Sequence, residues 1–427
     1  MNRLIPFRGG LASIFPAFFF LACLSRAFFI GSGAHAADQA PRHLGMEEAA
    51  TLAVQRQPQL LAQQAAISAL TEAAPAAGQL PDPKLRMGLL SLPVDTFNFD
   101  QEAMTQASIG ISQLIPGGDK RRLASARVER EAAQGNQALA AIAQRIARDA
   151  QLAWLDVYSP SAARDLVGKV ESEYQRQVEW SKVAYQANKI SQDETLALRG
   201  MLETTKDRLA ELARQRNRAQ VGLARWVGAE ASRPLDALPA SSPPAPLGGL
   251  LEKLGRHPEL TALNEAVAVA QSEVALAREA YKPDWSVDMS YGLRGGNRAD
   301  LVSFVVGVDL PVFTANRQDK RLSARLAGVE RADQLRLDRY QSLKAELEAV
   351  YADWQSADSR ITHYKQEILP LAVRRVESAL AAYGSDRASY GRVLEARRAE
   401  TEARLQLLAQ QVARAKALTQ IRYFSAL

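Results

Sequence analysis

The stretch Trp285-Ser286-Val287-Asp288-Met289-Ser290-Tyr291-Gly292-Leu293-Arg294 decides how this chain is read, together with Val302-Ser303-Phe304-Val305-Val306-Gly307-Val308-Asp309-Leu310 just after it. Large apolar residues alternate with small or polar ones, the period of two that marks a strand. Gly295-Gly296-Asn297 supplies the turn between the two runs. A weaker copy lies upstream: Leu85, Met87 and Leu89, then Ala107, Ile109 and Ile111 alternating with Ser108, Gly110 and Ser112. Strand pairs are therefore expected at about 84–115 and about 285–313. Strands near ten residues long, apolar on one face and polar on the other, suit a membrane barrel. Four such strands cannot close one, because the smallest barrels have about eight. Open edges in lipid would cost several kcal/mol per unpaired backbone group. Closure would need further copies, two giving about eight strands and three about twelve. A soluble half-buried sheet shows the same alternation, so that reading also stands at this point.

Outside these runs the chain repeats itself. At a shift of 200 residues, Gln57-Pro58-Gln59-Leu60 falls on His257-Pro258-Glu259-Leu260, Pro83 on Pro283, Asp119-Lys120-Arg121 on Asp319-Lys320-Arg321, and Trp154 on Trp354. Further on the shift becomes 198, with Tyr185 on Tyr383, Ser191 on Ser389 and Leu196 on Leu394. The expected domains are a first repeat over 37–236, a linker over 237–249 and a second repeat over 250–427. The connector from roughly Gly228 to Gly249, with Ser241-Ser242-Pro243-Pro244, is too rich in Pro, Ala and Ser for a core of its own. Each repeat opens on a helix, at about 46–78 and 247–281. After its strand pair comes a long helical hairpin, at about 119–227 and about 317–424. From Lys120 to Ala187 the only proline is Pro160, and an unbroken helix there would be on the order of 100 Å long. The last helix carries two seams, Leu405, Leu408, Val412 and Ala415 on one side and Ala396, Ala399 and Ala403 on another. Two seams imply neighbours on both sides, as in a closed ring; a coiled-coil rod is the plainer alternative.

Residues 1–36 read as an export signal. Arg3 and Arg8 precede an apolar stretch, and Ala34-His35-Ala36 offers a small-x-small cleavage site. A transmembrane anchor and a lipidated Cys23 behind Leu21-Ala22 are the alternatives. Past residue 37 no apolar run reaches the roughly 18 residues of a membrane helix. The 427 residues contain 53 Lys+Arg, 47 Asp+Glu, 4 His and 1 Cys. One Cys excludes a disulfide framework or a Cys-based metal site. The six Met are scattered, so no Met or His cluster suggests a bound metal, and no cofactor is expected. The net charge of +6 includes the basic leader, which weakens any case for nucleic acid. Neither a nucleophile elbow nor a phosphate-binding glycine loop nor a zinc-protease motif is present, and an enzyme is not expected.

Taken in register and twice over, these landmarks resemble the TolC family of outer-membrane efflux proteins. The strand exits Gln113-Leu114-Ile115-Pro116 to Lys120-Arg121, and Leu310-Pro311-Val312-Phe313 to Lys320-Arg321, resemble the family's passage from barrel into helix. The tips Tyr185-x-x-Asn188-x-x-Ser191 and Tyr383-x-x-Asp386-x-x-Ser389 resemble its Tyr-x-x-Gly-x-x-Ser, with Asn and Asp where glycine is usual. Both residues tolerate the left-handed conformation. The resemblance implies a mainly α chain carrying part of a membrane β-barrel: a homotrimer whose twelve strands cross the outer membrane above a periplasmic α-helical tunnel. It implies an exit duct that works with a periplasmic adaptor and an inner-membrane transporter of the resistance–nodulation–division (RND) class. Leu80-Pro81-Asp82-Pro83 and the stretch from Met104-Thr105 to Pro116 resemble members serving heavy-metal efflux. Drug efflux and type I secretion are the alternatives, and a periplasmic coiled-coil adaptor is a more distant one.

By the same resemblance, Asn188, Lys189, Ser191, Asp386, Arg387 and Ser389 are the expected adaptor-docking tips. Arg392 and Glu395, three and six residues after Ser389, match the positions that narrow the periplasmic mouth. Glu194 is placed there with them. At i, i+3 Arg392 and Glu395 can reach each other within a helix, or pair between subunits. Asp193 and Glu194, at a helix start, also fit a simple interaction with the helix dipole.

Overall fold

The computed structural model describes residues 43–425 except Ser241 and Asp386. The expected export signal, with Cys23, lies outside the described residues. Among those described, each half of the chain has the same order of elements. In the first half, helices α1 (Met46–Arg56) and α2 (Pro58–Ala77) lead to strands β1 (Lys84–Leu90) and β2 (Gln106–Ile115), then to α3 (Lys120–Gln186) and α4 (Gln192–Val227). In the second, α5 (Leu247–Leu254) and α6 (Pro258–Glu279) lead to β3 (Asp284–Arg294) and β4 (Leu301–Asp309), then to α7 (Gln318–His363), α8 (Leu369–Gly384) and α9 (Tyr390–Ser425).

Three expectations are corrected. Each opening helix is two helices, broken at the repeated X-Pro step. Proline disfavours helical geometry in the residue before it, and Gln57 (ψ 120°) and His257 (ψ 137°) are extended while Pro58 and Pro258 start the next helix. The segment after Gly228 is also not free of the core. It forms a 3₁₀ turn (Gly228–Ser232) whose Ala231 is buried, and Leu235 makes a parallel bridge to Leu44. Finally, the two long hairpins differ. α3 runs unbroken through Pro160 for 67 residues, whereas a π-helical turn (Tyr364–Ile368) separates α7 from α8 just before Pro370.

Two core clusters sit where the short helices pack across the long ones. In the first half Leu44, Met46 and Ala49 pack on Trp154, Leu155 and Leu223. In the second, Leu250, Leu254 and Leu260 pack on Leu343, Leu347 and Ile421. Both expected seams of α9 are buried or half-buried, and the helix lies against α7 and α8 as well as α3.

The second core holds a charged network. The His257 ring is 1% exposed, and its Nδ1 accepts the Glu259 amide as the N-cap of α6. Burial alone would raise the Glu259 carboxyl. Hydrogen bonds from Arg339 (2.7 Å) and Tyr423 more than offset this and hold it below the usual carboxylate range. Burial pushes the His257 imidazole down. Both shifts favour the unfolded chain in acid. Unfolded His binds its proton at about pH 6.5, so stability falls as pH drops through that value. The Glu259 contribution is complete above about pH 4.3 and is lost as pH falls through its lower folded value. Thermal midpoints should therefore decline from pH 7 to 5 and again below 4.5. His257→Gln, which installs the residue of the first repeat, should flatten the upper limb and spare the lower one. An unchanged upper limb would assign it to other groups.

Candidate channel site

The four strands form one antiparallel sheet in the order β1-β2-β3-β4. The β2–β3 ladder, from Gln106↔Arg294 to Ile115↔Trp285, joins the two halves. This register puts every expected apolar residue on one face. One row reads Leu85, Ile111, Met289, Phe304 across the sheet, and the next Met87, Ile109, Tyr291, Val302. The face is uncovered, with Met87 74% and Phe304 67% exposed. The opposite face is mostly small and polar, with Gly110, Ser290 and Ser303 in one row, and Leu90, Leu114, Leu301 and Val305 as its larger apolar members. A Cβ on Gly110 would lie 2.8 Å from that of Ser290, so this face is crowded. β1 and β4 are the two sheet edges. An apolar surface left bare on this scale needs lipid or another partner.

One end of the sheet feeds the helices. There the turn from β2 into α3 lies on the turn from α6 into β3. Asp284 accepts from the Gly117 amide and from Lys120 Nζ, both at 2.7 Å. Glu279 accepts from the Asp119 amide and pairs with Lys282, both at 2.8 Å. At the other end Arg298 donates to the Asp100 and Glu102 carbonyls, which ties the two interstrand loops together.

The far ends of the long helices hold the expected tip residues. Asn188 is left-handed (φ 56°) and forms the helix stop for which glycine is usual: its amide donates to Tyr185 O and the Lys189 amide to Ala184 O, both at 2.9 Å. Ser191 and Glu194 form a reciprocal capping box at the start of α4. At the second tip the Arg387 amide donates to Ala382 O; Asp386 lies outside the described residues. Lys189, Ser191, Arg387 and Ser389 are exposed. The tips stand side by side, with Trp180 against Tyr390 (5.4 Å between ring centroids) over Val178, Leu198 and Val393.

The expected contact between Arg392 and Glu395 is not made within the chain. Glu395 pairs instead with Arg375 on the facing helix α8 at 2.7 Å, and Arg392 occupies the capping-box position that Glu194 fills at the first tip. Sequence reasoning missed Arg375, which lies on the other arm of the hairpin with no spacing to reveal it. It also missed Asp284, for which a signal existed: the matching residue of the first repeat is Lys84, a reversed charge beside an otherwise repeated proline. Among the described residues no helix is long and apolar enough to cross a membrane, and no cluster of three or more His, Cys, Asp or Glu could hold a metal.

A mainly helical chain bearing a four-stranded sheet of this kind has the fold of the TolC-like outer-membrane channels. A membrane protein of Pseudomonas aeruginosa superimposes with a TM-score of 0.75 at 15% identity, covering 89% of this chain and 92% of that one. The CmeC outer membrane channel of Campylobacter jejuni gives 0.74 at 11%, covering 89% and 85%. CusC, solved in a study of transmembrane channel formation, gives 0.72 at 14%, covering 89% and 91%. Residues 250–425 match the family model described as outer membrane efflux protein. The multidrug resistance outer membrane protein MdtP of Escherichia coli K12 is 29% identical over 198 residues, which are 44% of this chain and 39% of that protein. The second half of the chain thus matches the outer membrane efflux family, whose proteins are channels of the outer membrane, and the described residues as a whole share the fold of such channels.

Proposed function

We propose that the protein is the exit duct of a tripartite efflux pump. Three copies would join their sheets into a twelve-stranded barrel, with the long helices forming a periplasmic tunnel. A periplasmic adaptor and an inner-membrane transporter of the RND class would deliver cargo to it. The observation that carries this reading is the bare apolar face of a sheet with two open edges, joined at one end to long helices, of which α3 is on the order of 100 Å long. For cargo, the aligned MdtP favours small toxic organic molecules, while Leu80-Pro81-Asp82-Pro83 favours heavy-metal cations. The aligned relative carries more residues, and we take the drug-type reading over the metal reading. Purified protein should form conducting channels in planar bilayers, and outer-membrane fractions should contain it as a heat-resistant trimer. A soluble, non-conducting species would support the adaptor reading instead.

The docking tips are proposed at Asn188, Lys189, Ser191, Asp386, Arg387 and Ser389. Reversing Lys189 and Arg387 together should lower drug resistance several-fold with trimer yield intact, as expected for charged rims that mainly set association. Unchanged resistance and unchanged cross-linking to the adaptor would remove the tips from docking. For the mouth, Arg392 and Glu395 remain the proposed constriction, with Arg375 now included. Glu194 is assigned to the cap of α4. Arg392→Ala and Glu395→Ala should raise single-channel conductance in the same bilayers; wild-type conductance in both would make them surface charges.

A further inference from the structure

The internal repeat specifies how the two open edges meet. We propose that β4 of one copy pairs antiparallel with β1 of the next, with Leu310 opposite Leu85, Asp309 opposite Arg86, Val308 opposite Met87, Gly307 opposite Gly88 and Val306 opposite Leu89. This rests on the trimeric reading above and adds the register, which that reading leaves open.

The β2–β3 ladder is the template, since it is the junction of a second strand with the following repeat's first strand inside one chain. Its pairing ends at Ile115↔Trp285. Continuing one step sets Pro116 opposite Asp284. Pro116 matches Pro311 as the strand-exit proline, and Asp284 matches Lys84 behind the paired prolines Pro83 and Pro283. Pro311 then falls opposite Lys84, and the rest of the register follows. Each step agrees with side-chain direction. Leu85, Met87 and Leu89 lie on the apolar face of β1, and Leu310, Val308 and Val306 continue that face along β4. A slip of one residue would turn one whole set to the other face.

Charge supports the register independently. Asp309 stands directly opposite Asp284 within the chain. Like charges so placed are unfavourable, and Asp284 is neutralised by Lys120. Asp309 forms no ion pair among the described residues, and neither does Lys84. Arg86 is 69% exposed and, among the described residues, forms its only ion pair with Asp288, at 3.4 Å. The proposed register brings Arg86 across from Asp309 of the neighbour, with Lys84 on the diagonal. A free carboxylate on one edge thus meets two cations on the other.

The test is cross-linking in outer membranes under mild oxidation. Leu89→Cys with Val306→Cys should give covalent dimers and trimers. Leu89→Cys paired with Phe304→Cys or Val308→Cys should give about tenfold less, because a two-residue slip moves the partner about 7 Å along the strand and leaves the two Cβ atoms beyond the ~4 Å a disulfide spans. The single-cysteine variants control for Cys23. Asp309→Arg should lower the dissociation temperature of the trimer, and adding Arg86→Asp should restore it. Stronger cross-linking in either slipped pair, or intact trimers that cross-link in none, would overturn the register while the trimer stands. If the unmodified protein is itself not a trimer, it is the underlying reading that fails.

Discussion

Replacing Trp154 with Ala should cost about 3–5 kcal/mol of stability, the range for a large aromatic removed from a packed core. The side chain is fully buried among Leu44, Leu155 and Leu223. Its indole N–H donates to the Leu44 carbonyl at 2.8 Å, and its ring stacks on Tyr158 with centroids 5.3 Å apart. Together these pin the chain entering α1 to the middle of α3. Trp354, its counterpart in the repeat, is only half-buried and touches Tyr351 at a tilt. Trp354→Ala should cost about half as much or less, in proportion to the area it hides. Guanidinium unfolding of the two variants, followed by circular dichroism, measures the difference. Equal losses would show that the two halves share their core load evenly.

Gly117→Ala should be the most damaging single methyl group in the chain. A Cβ there would fall on the Pro283 carbonyl, which is backbone and cannot rotate away. Relief requires the turn from β2 into α3 to lift off the turn from α6 into β3, breaking the Asp284 contacts to Gly117 and Lys120. A loss of more than about 3 kcal/mol is expected, the scale of substitutions that overpack a rigid site and break a polar network. In cells it should be read as protein missing from the outer membrane. Gly168→Ala is the control: nothing lies within 4 Å of its Cβ, and in a helix interior the change should stabilise by roughly 0.5–1 kcal/mol. Normal assembly of Gly117→Ala would mean that the junction yields more easily than its geometry implies.

These two sites show which parts of the molecule could be read from the sequence. Strands were legible because Met289, Tyr291 and Leu293 must share a face, a purely local constraint that the observed register satisfies. The tip at Asn188 was legible because few residues accept a left-handed backbone. Trp154 and Trp354 look alike in the sequence, since burial depends on which helices arrive later in the chain. The ion pair between Arg375 and Glu395 was hidden for the same reason: the two residues sit on opposite arms of a hairpin. The split of the opening helices was written in Pro58 and Pro258, whose value as repeat landmarks masked their role as breakers.

The β2–β3 ladder also sets an order of events during folding. Within each strand pair the partners are near in sequence, as with Leu90 and Gln106, 16 positions apart (106 − 90). Even the closest partners across the ladder, Ile115 and Trp285, are 170 apart (285 − 115). Closing a free loop of that size carries an entropy cost of about 4–5 kcal/mol, and contacts so distant in sequence slow the approach to the native state. Helical pairing of α3 with α4 shortens the effective gap, so the helices must meet before the sheet can join. The β1–β2 and β3–β4 hairpins can form as soon as each is synthesised, but the four-stranded sheet waits for the chain between them.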